Sequence, residues 1–317
     1  MRDSGSEAAM KTLKLGLVMF FVILAASCGG KKEVIVPDHI SAGGMQTDKG
    51  MPFYERGCYA RALDYFYKAN ELYTAIGDSR GMAMSANNIG VVYRAMGEAA
   101  AAIPFFEDAL RIYRSLGDQE NVRQTLSNLA AAQVDTGDYA AAGKNIDEAL
   151  KIRIRGKPFA PAMTVKGILL AKQGDVKGAE AMLKEALDEI SRRHPAGEAA
   201  ANYAMGELLL GTARYQEAVP YFSKALESDR KAGFYKGIAD DLTALGHCSA
   251  GLRDDASAVN DWEQSVRIYA LLGMEEKVRA TMGLLDEAAK RSNRDIALTR
   301  ALVDRWLKGD MTDSLCE

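Results

Sequence analysis

The chain has 317 residues, of which 48% are hydrophobic and 26% are charged, and this supplies enough apolar material for a substantial core. Its 40 Lys and Arg against 43 Asp and Glu give a formal net charge of −3. The charges are spread along the chain without a basic stripe, which argues against nucleic-acid binding. Val and Ile form no runs that alternate with polar residues, so the sequence predicts helices and no strands.

The first 27 residues have the pattern of an export signal. Residues 10–14 (MKTLK) are short and basic, residues 15–26 are almost entirely apolar, and small residues precede Cys28. The apolar run is short for a transmembrane helix, although an uncleaved anchor helix is the alternative. Met10 is a more natural start for such a signal than Met1, because the first nine residues do not resemble one.

Residues 24–28 (LAASC) resemble the bacterial lipobox. This resemblance implies that Cys28 carries lipid and becomes the mature N-terminus. The Gly29 that follows it implies sorting to the outer membrane, facing the periplasm. Several acyl chains suffice for stable anchoring without a transmembrane segment. Residues 28–45 are polar and contain Pro and Gly, so we expect a flexible tether between the lipid and the folded part.

Three further cysteines, Cys58, Cys248 and Cys316, are far apart in the sequence and odd in number. None of them forms a CxxC pair, so the sequence predicts neither a metal site nor a disulfide framework. An oxidising periplasm would nevertheless permit one bridge between them.

A pattern of small and large residues recurs from about residue 46 to residue 290. Its fixed points are six alanines at intervals of 40, 40, 37, 39 and 40 residues: Ala62, Ala102, Ala142, Ala179, Ala218 and Ala258. A large apolar side chain follows four residues after each alanine: Phe66, Phe106, Ile146, Leu183, Phe222 and Trp262. A small residue comes three positions later still. These spacings place all three residues on one face of a helix.

A second helix is predicted before each of these. Twelve residues ahead of each alanine lies another small residue: Gly50, Gly90, Ala130, Gly167, Gly206 and Gly246. Glycine in a helix interior costs about 1 kcal/mol relative to alanine, so its recurrence indicates the close approach of a neighbouring helix. Other glycines mark the turns, for example Gly97 and Gly117. Each unit is therefore predicted to be an antiparallel helical hairpin, such as 80–96 with 99–116.

The full pattern Gly-x2-Tyr-x8-Ala-x3-Phe-x2-Ala is met by Gly90, Tyr93, Ala102, Phe106 and Ala109. It resembles the tetratricopeptide repeat, whose usual period is about 34 residues. The longer period seen here resembles the long-helix variety of kinesin light chains. The resemblance implies an all-α fold, an α-solenoid of about six helical hairpins and one extra helix over residues 46–290.

The two ends of the array depart from the pattern. The first helix of the first copy contains Pro52 and few apolar residues, so we expect it to be short or irregular. Residues 291–317 are predicted to form a C-terminal capping helix and a frayed tail. Leu298, Ala301, Leu302 and Trp306 are expected to cover the last exposed face, as terminal units must.

In tetratricopeptide arrays the first helices line a concave groove. The resemblance places ten residues in that groove: Asn87, Asn88, Val91, Arg94, Gln124, Ser127, Asn128, Tyr203, Glu207 and His247. Asparagine amides can bond both the donors and the acceptors of an extended peptide backbone, which suits capture of a protein or peptide partner. The alternative is that the asparagines solvate a helix face or bond a neighbouring turn. Val91 and Ala131 occupy positions where a clamp for a terminal carboxylate needs polar groups.

No catalytic or metal-binding motif accompanies the repeats. The three histidines, His39, His194 and His247, are scattered, and there is no HExxH, GxSxG or Gly-rich phosphate loop. We therefore expect no enzyme activity, no metal or other cofactor, no small-molecule substrate and no nucleic-acid partner. The expected function is that of a membrane-anchored scaffold for a partner protein, in pilus or secretion assembly or in outer-membrane biogenesis. The alternative is a regulator of a cell-wall enzyme or a glycan-binding adaptor.

Overall fold

The computed structural model describes residues 38–154, 159–190, 195–310 and Cys316. These residues form fourteen α-helices and no strand, so the predicted all-α class is confirmed. The helices are α1 Asp38–Arg56, α2 Tyr59–Ile76, α3 Ser79–Ala95, α4 Ala99–Ser115, α5 Gln119–Thr136, α6 Tyr139–Lys151, α7 Ala160–Lys172, α8 Val176–Glu189, α9 Pro195–Gly211, α10 Tyr215–Ala232, α11 Tyr235–Gly251, α12 Asp255–Leu271, α13 Glu275–Ser292 and α14 Ala297–Leu307.

Six hairpins, α1–α2 to α11–α12, carry the repeated pattern, and α13 follows as the extra helix. All six fixed alanines are completely buried in the second helices. The mid-helix glycines of the first helices receive the large residues of their partners. A Cβ added to Gly90 would lie 2.7 Å from the ring of Phe106, and one added to Gly206 would lie 2.7 Å from Phe222. Because atoms cannot approach so closely, glycine at these positions is required for the ring to pack.

The turns inside the hairpins also follow the prediction. Gly57, Gly97, Gly137 and Gly174 adopt φ values of 84, 88, 84 and 86°. The fifth and sixth copies keep this left-handed conformation without glycine, at Ala213 (φ 57°) and Arg253 (φ 63°). A side chain in this region costs roughly 1–2 kcal/mol, so the hairpin packing must outweigh that cost in these two copies.

The predicted N-terminal boundary of the array was wrong. α1 is helical from Asp38, so residues 38–45 belong to a helix and not to the tether, and the helix continues through Pro52 for 19 residues. Its small residues explain this length, because Gly43 lies against the ring of Tyr73 and Gly50 against Phe66 of α2. Packing along α2 therefore offsets the lost backbone hydrogen bond of the proline.

The capping helix is present, but its buried face was mispredicted. Leu298 is 69% exposed and Ala301 is also exposed, whereas Thr299 and Val303 are buried. The register is set by a polar contact, since the Thr299 hydroxyl donates to Glu263 of α12 at 2.6 Å. Trp306 is half-buried and packs against the last core cluster, as expected.

The first and sixth hairpins touch each other. A disulfide joins Cys58, in the turn between α1 and α2, to Cys316, with 5.3 Å between the two Cα atoms. Leu272, which follows α12, lies against Gly57, and Met274 packs against the cluster that contains Tyr59. The predicted frayed tail is thus tied to the array at Cys316, and the array from residue 39 onward closes on itself.

Residues 1–37, including the predicted signal and Cys28, lie outside the described residues. Within the described part of the chain, no helix combines the length and the apolar character needed to cross a bilayer.

Candidate functional site

The predicted asparagine face lies on α3 and α5, where the amides bond one another. Asn128 donates to the Oδ1 atom of Asn87 at 3.0 Å, and Gln124 donates to the Oδ1 atom of Asn128 at 3.2 Å. The Thr125 hydroxyl also donates to Asn87, at 3.4 Å. We call Asn87, Gln124 and Asn128 the amide row. It links two neighbouring repeats and leaves these side chains half-buried at the surface.

Four other predicted groove residues lie on the same two helices. Arg94 pairs with Asp135 at 2.7 Å, and the two side chains are 40% and 41% exposed. Asn88 and Val91 are half-buried. Ser127 is buried and donates to the carbonyl of Arg123 at 2.8 Å, so its hydroxyl is used within its own helix. The prediction that Ser127 presents a polar group to the groove was therefore wrong.

The remaining predicted groove residues lie on α9 and α11. The ring of Tyr203 meets that of Phe222 edge-on at 5.5 Å, and the ring of His247 meets Trp262 in the same way at 5.5 Å. Burial lowers the pKa of His247, which favours the neutral imidazole. Burial raises the pKa of Glu207.

A cavity of about 500 Å³ opens inside the closed array. It is lined by α1, α3, α5, α9 and α11, all of them first helices, together with the ends of α2 and α10. Arg94 and Tyr203 are the predicted residues that line it, and the amide row does not. The walls also include aromatic side chains, of which Tyr54 and Phe234 have ring centroids 6.0 Å apart.

Three aspartates on α10 and α11 line the same cavity: Asp229, Asp240 and Asp241. The negative charge of Asp240 is balanced by two lysines, Lys236 at 2.5 Å and Lys277 at 3.3 Å. The Tyr269 hydroxyl also donates a hydrogen bond to Asp240 at 2.6 Å. Burial acts to raise the pKa of Asp240, but the two lysines and the hydrogen bonds outweigh burial and lower it. Asp240 is therefore an ion-paired carboxylate with a structural role.

The other two aspartates lack such partners. Asp229 is 6% exposed and Asp241 is 1% exposed, and neither forms an ion pair within the described residues. Burial raises the pKa of Asp229 to about 7 and that of Asp241 to about 9, with smaller contributions from the neighbouring carboxylates. The Oδ2 atom of Asp241 and the hydroxyl of Tyr59 are buried and have no hydrogen-bond partner among the residues that the structure describes. We call Tyr59, Asp229 and Asp241 the acidic pocket.

The sequence held a partial signal for the cavity that contains this pocket. Asp240 lies six residues before Gly246, and Tyr54 lies four residues after Gly50. The resemblance to tetratricopeptide repeats assigns both positions to the groove. Asp229 had no such signal, because it lies on a second helix. It reaches the cavity at the turn into α11, where Gly237 leaves room for its carboxylate: a Cβ added to Gly237 would collide with it.

The fold and the lining of the cavity define the class of protein. Helical hairpins that repeat in phase, with their first helices on the inside, form an α-solenoid. Tetratricopeptide repeat family models match residues 45–115 and residues 199–231. These two matched parts of the chain are tetratricopeptide repeats.

Solved structures with a similar fold include two Rap proteins. The Rap conjugation gene regulator of the plasmid pLS20, in complex with the Phr* peptide, is 17% identical over 91% of this chain and 85% of its own, with a TM-score of 0.58. A Rap protein complexed with Competence and Sporulation Factor is 17% identical over 78% of this chain and 74% of its own, with a TM-score of 0.56. At this identity the likeness describes the fold. No curated protein matches the chain.

Proposed function

We propose that the protein is a scaffold that binds a peptide or an extended segment of a partner protein on the inner face of its closed array. The observation that carries the proposal is the cavity, which is lined by first helices from both ends of the array. Its volume of about 500 Å³ lies in the range of pockets that enclose small ligands, so it suits one or two side chains of a longer segment.

The amide row supports the same proposal. Primary amides carry both donors and acceptors, and those of Asn87 and Asn128 bond to each other across neighbouring repeats. An extended peptide can replace these bonds with bonds to its own backbone, because each amide offers equivalent donor and acceptor groups. The two similar Rap structures are complexes with the Phr* peptide and with Competence and Sporulation Factor, and this supports the proposal of a peptide or protein ligand.

Selection from a random dodecamer peptide library on the purified chain tests the proposal. We expect enrichment of peptides whose affinity, measured by fluorescence anisotropy, falls several-fold when Asn87→Ala and Asn128→Ala are combined. Arg111→Ala is the control, because Arg111 lies on the second helix α4 with a side chain that is 73% exposed. The absence of any enriched peptide, or equal losses for the amide and control variants, would overturn the proposal.

We further propose that the scaffold is a lipoprotein of the outer membrane, facing the periplasm and serving envelope assembly. The lipobox-like residues 24–28 support this location. The disulfide between Cys58 and Cys316 supports it independently, because disulfides persist in oxidising compartments such as the periplasm. Cys28→Ser is expected to move the protein from the membrane fraction to the soluble fraction. Retention of this variant in the membrane would contradict the lipid anchor.

A further inference from the structure

The acidic pocket contains buried polar atoms whose hydrogen-bonding capacity is not used by the described residues. Asp241 lines the cavity, and its buried Oδ2 atom accepts no hydrogen bond from the described residues. Tyr59 lines the same cavity, and its buried hydroxyl also has no hydrogen-bond partner within the described residues. Leaving a buried polar group unsatisfied costs about 1–3 kcal/mol, so two such groups in one cavity call for a ligand that satisfies them.

The charges around the cavity identify the sign of that ligand. Lys236 forms an ion pair with Asp240 at an N···O distance of 2.5 Å, and Arg94 forms one with Asp135 at 2.7 Å. The cations that line the cavity are thus already paired, while Asp229 and Asp241 form no ion pair in the described part of the chain. A positively charged ligand in the cavity could therefore pair with the carboxyl groups of Asp229 and Asp241.

The shape and chemistry of the walls favour an organic cation over a metal ion. No group of three or more His, Cys, Asp or Glu side chains within the described residues could hold a metal. The walls carry the rings of Tyr54, Tyr203 and Phe234, and aromatic faces attract ammonium and guanidinium groups. A carboxylate pair between aromatic rings binds such groups through charge-assisted hydrogen bonds.

The amide row lies near the part of the cavity wall that α3 and α5 form. Two cavity-lining residues lie on the same helices as the amide row: Arg94 follows Asn87 by seven residues on α3, and Asp135 follows Asn128 by seven residues on α5. Seven residues of α-helix span about 10 Å, and an extended peptide covers this distance in about three residues. A segment held by the amide row can therefore place a side chain about three residues away in the cavity.

We propose that the acidic pocket receives the ammonium or guanidinium group of a Lys or Arg side chain from the bound peptide. This inference rests on the proposed function, since it assumes a peptide on the inner face. The basic group donates to Asp241 and Asp229 and lies among the aromatic rings. The pocket then selects peptides by one basic residue, while the amide row accepts any backbone.

The experiment compares the peptide selection on three forms of the full chain at pH 8. Wild type is expected to enrich dodecamers that share a Lys or Arg, and Asp241→Asn is expected to lose this preference. Asp261→Asn is the matched control: burial also raises the pKa of Asp261, to about 6, but Asp261 does not line the cavity. For one enriched peptide, Arg→Gln or Lys→Met is expected to weaken binding to wild type at least tenfold, and binding to Asp241→Asn less than twofold.

Thermal melts of each variant establish that it is folded before binding is compared. Peptides that bind equally well with and without the basic residue would overturn the pocket assignment and leave the proposed function standing. Failure of every peptide to bind would overturn both. Spermidine and free arginine are tested alone and as competitors: if they bind to wild type while no peptide does, the pocket accepts a free organic cation and the peptide assignment is wrong.

Discussion

The amide row and the acidic pocket differ in how fully the polar atoms of their side chains are hydrogen-bonded. In the amide row, the side chains of Asn87, Asn128 and Gln124 form hydrogen bonds with one another in the absence of a ligand. In the acidic pocket, Asp241 and Tyr59 each have a buried polar atom to which no group in the described part of the chain is hydrogen-bonded. The first region exchanges equivalent bonds when it binds, whereas the second gains new ones.

This difference in hydrogen bonding indicates which of the two regions contributes more to the affinity for a peptide and to the selection between peptides. Exchanging one set of amide bonds for another yields little net free energy and little discrimination between sequences. Filling a buried site whose polar atoms lack hydrogen-bond partners yields more free energy and rejects ligands that lack the matching group. Breaking the pocket should therefore change selectivity and stability strongly, and breaking the amide row should change them weakly.

The largest effect on stability is expected from removing the disulfide that joins the first hairpin to the C-terminal tail. Cys58→Ser removes the disulfide to Cys316, which closes a chain segment of 258 residues. Loss of a bridge of this span is expected to lower the free energy of unfolding by about 3–5 kcal/mol, because the unfolded chain regains conformational freedom. Denaturant unfolding under oxidising conditions measures the loss.

Cys316→Ser is the matched control for this prediction, since it removes the same bond from the other side. The two single variants and the double variant should be equally stable, and dithiothreitol should destabilise only the wild type. A Cys58→Ser protein as stable as oxidised wild type would show that the bridge contributes nothing to closure.

The next effect concerns the pH dependence of stability without ligand. The pKa of Asp241 is raised by burial to about 9, and that of Asp229 to about 7, against an ordinary value of 3.8. Between these values the folded protein holds protons that the unfolded chain releases, so stability falls as pH rises from about 4 to 9. The charged groups that face the pair are Glu55, Arg94, Asp135, Arg230, Lys236 and Asp240.

Asp241→Asn should remove most of this slope, because an amide cannot ionise. At pH 8 the variant is expected to be more stable than wild type by roughly 1–3 kcal/mol, and at pH 4 the two should be nearly equal. Denaturant unfolding at pH 4, 6 and 8 measures both curves. A wild-type protein whose stability rises over this range would contradict the raised pKa values.

The contrast between the two regions also explains what the sequence could predict. The hairpins were predictable because each depends on local spacing: Gly90 and Phe106 meet within one repeat. The amide row follows from the same spacing, since Asn87 and Asn128 occupy equivalent positions in neighbouring repeats. The acidic pocket does not, because Tyr59 and Asp229 line one cavity only when the first hairpin lies beside the fifth and sixth. Closure of the array depends on long-range contacts that no repeat encodes.

Local exceptions had the same cause. Pro52 predicted a short or irregular first helix, yet packing of Gly43 and Gly50 against α2 keeps α1 continuous. Leu298 was expected to be buried, but the hydrogen bond from Thr299 to Glu263 rotates the final helix so that Leu298 faces outward. In both cases a contact with a neighbouring helix overrides the preference of the residue.

The smallest effect is expected from the amide row. Asn128→Ala removes a donor to Asn87 and an acceptor for Gln124, but all three side chains are half-buried and can bond water instead. We expect a loss of about 0.5–1.5 kcal/mol in the free energy of unfolding, with no change in its pH dependence. Peptides should bind a few-fold more weakly, and their preference for a basic residue should stay the same. A variant that keeps full affinity but loses the basic preference would reverse the roles assigned to the two regions, since selectivity would then reside in the amides.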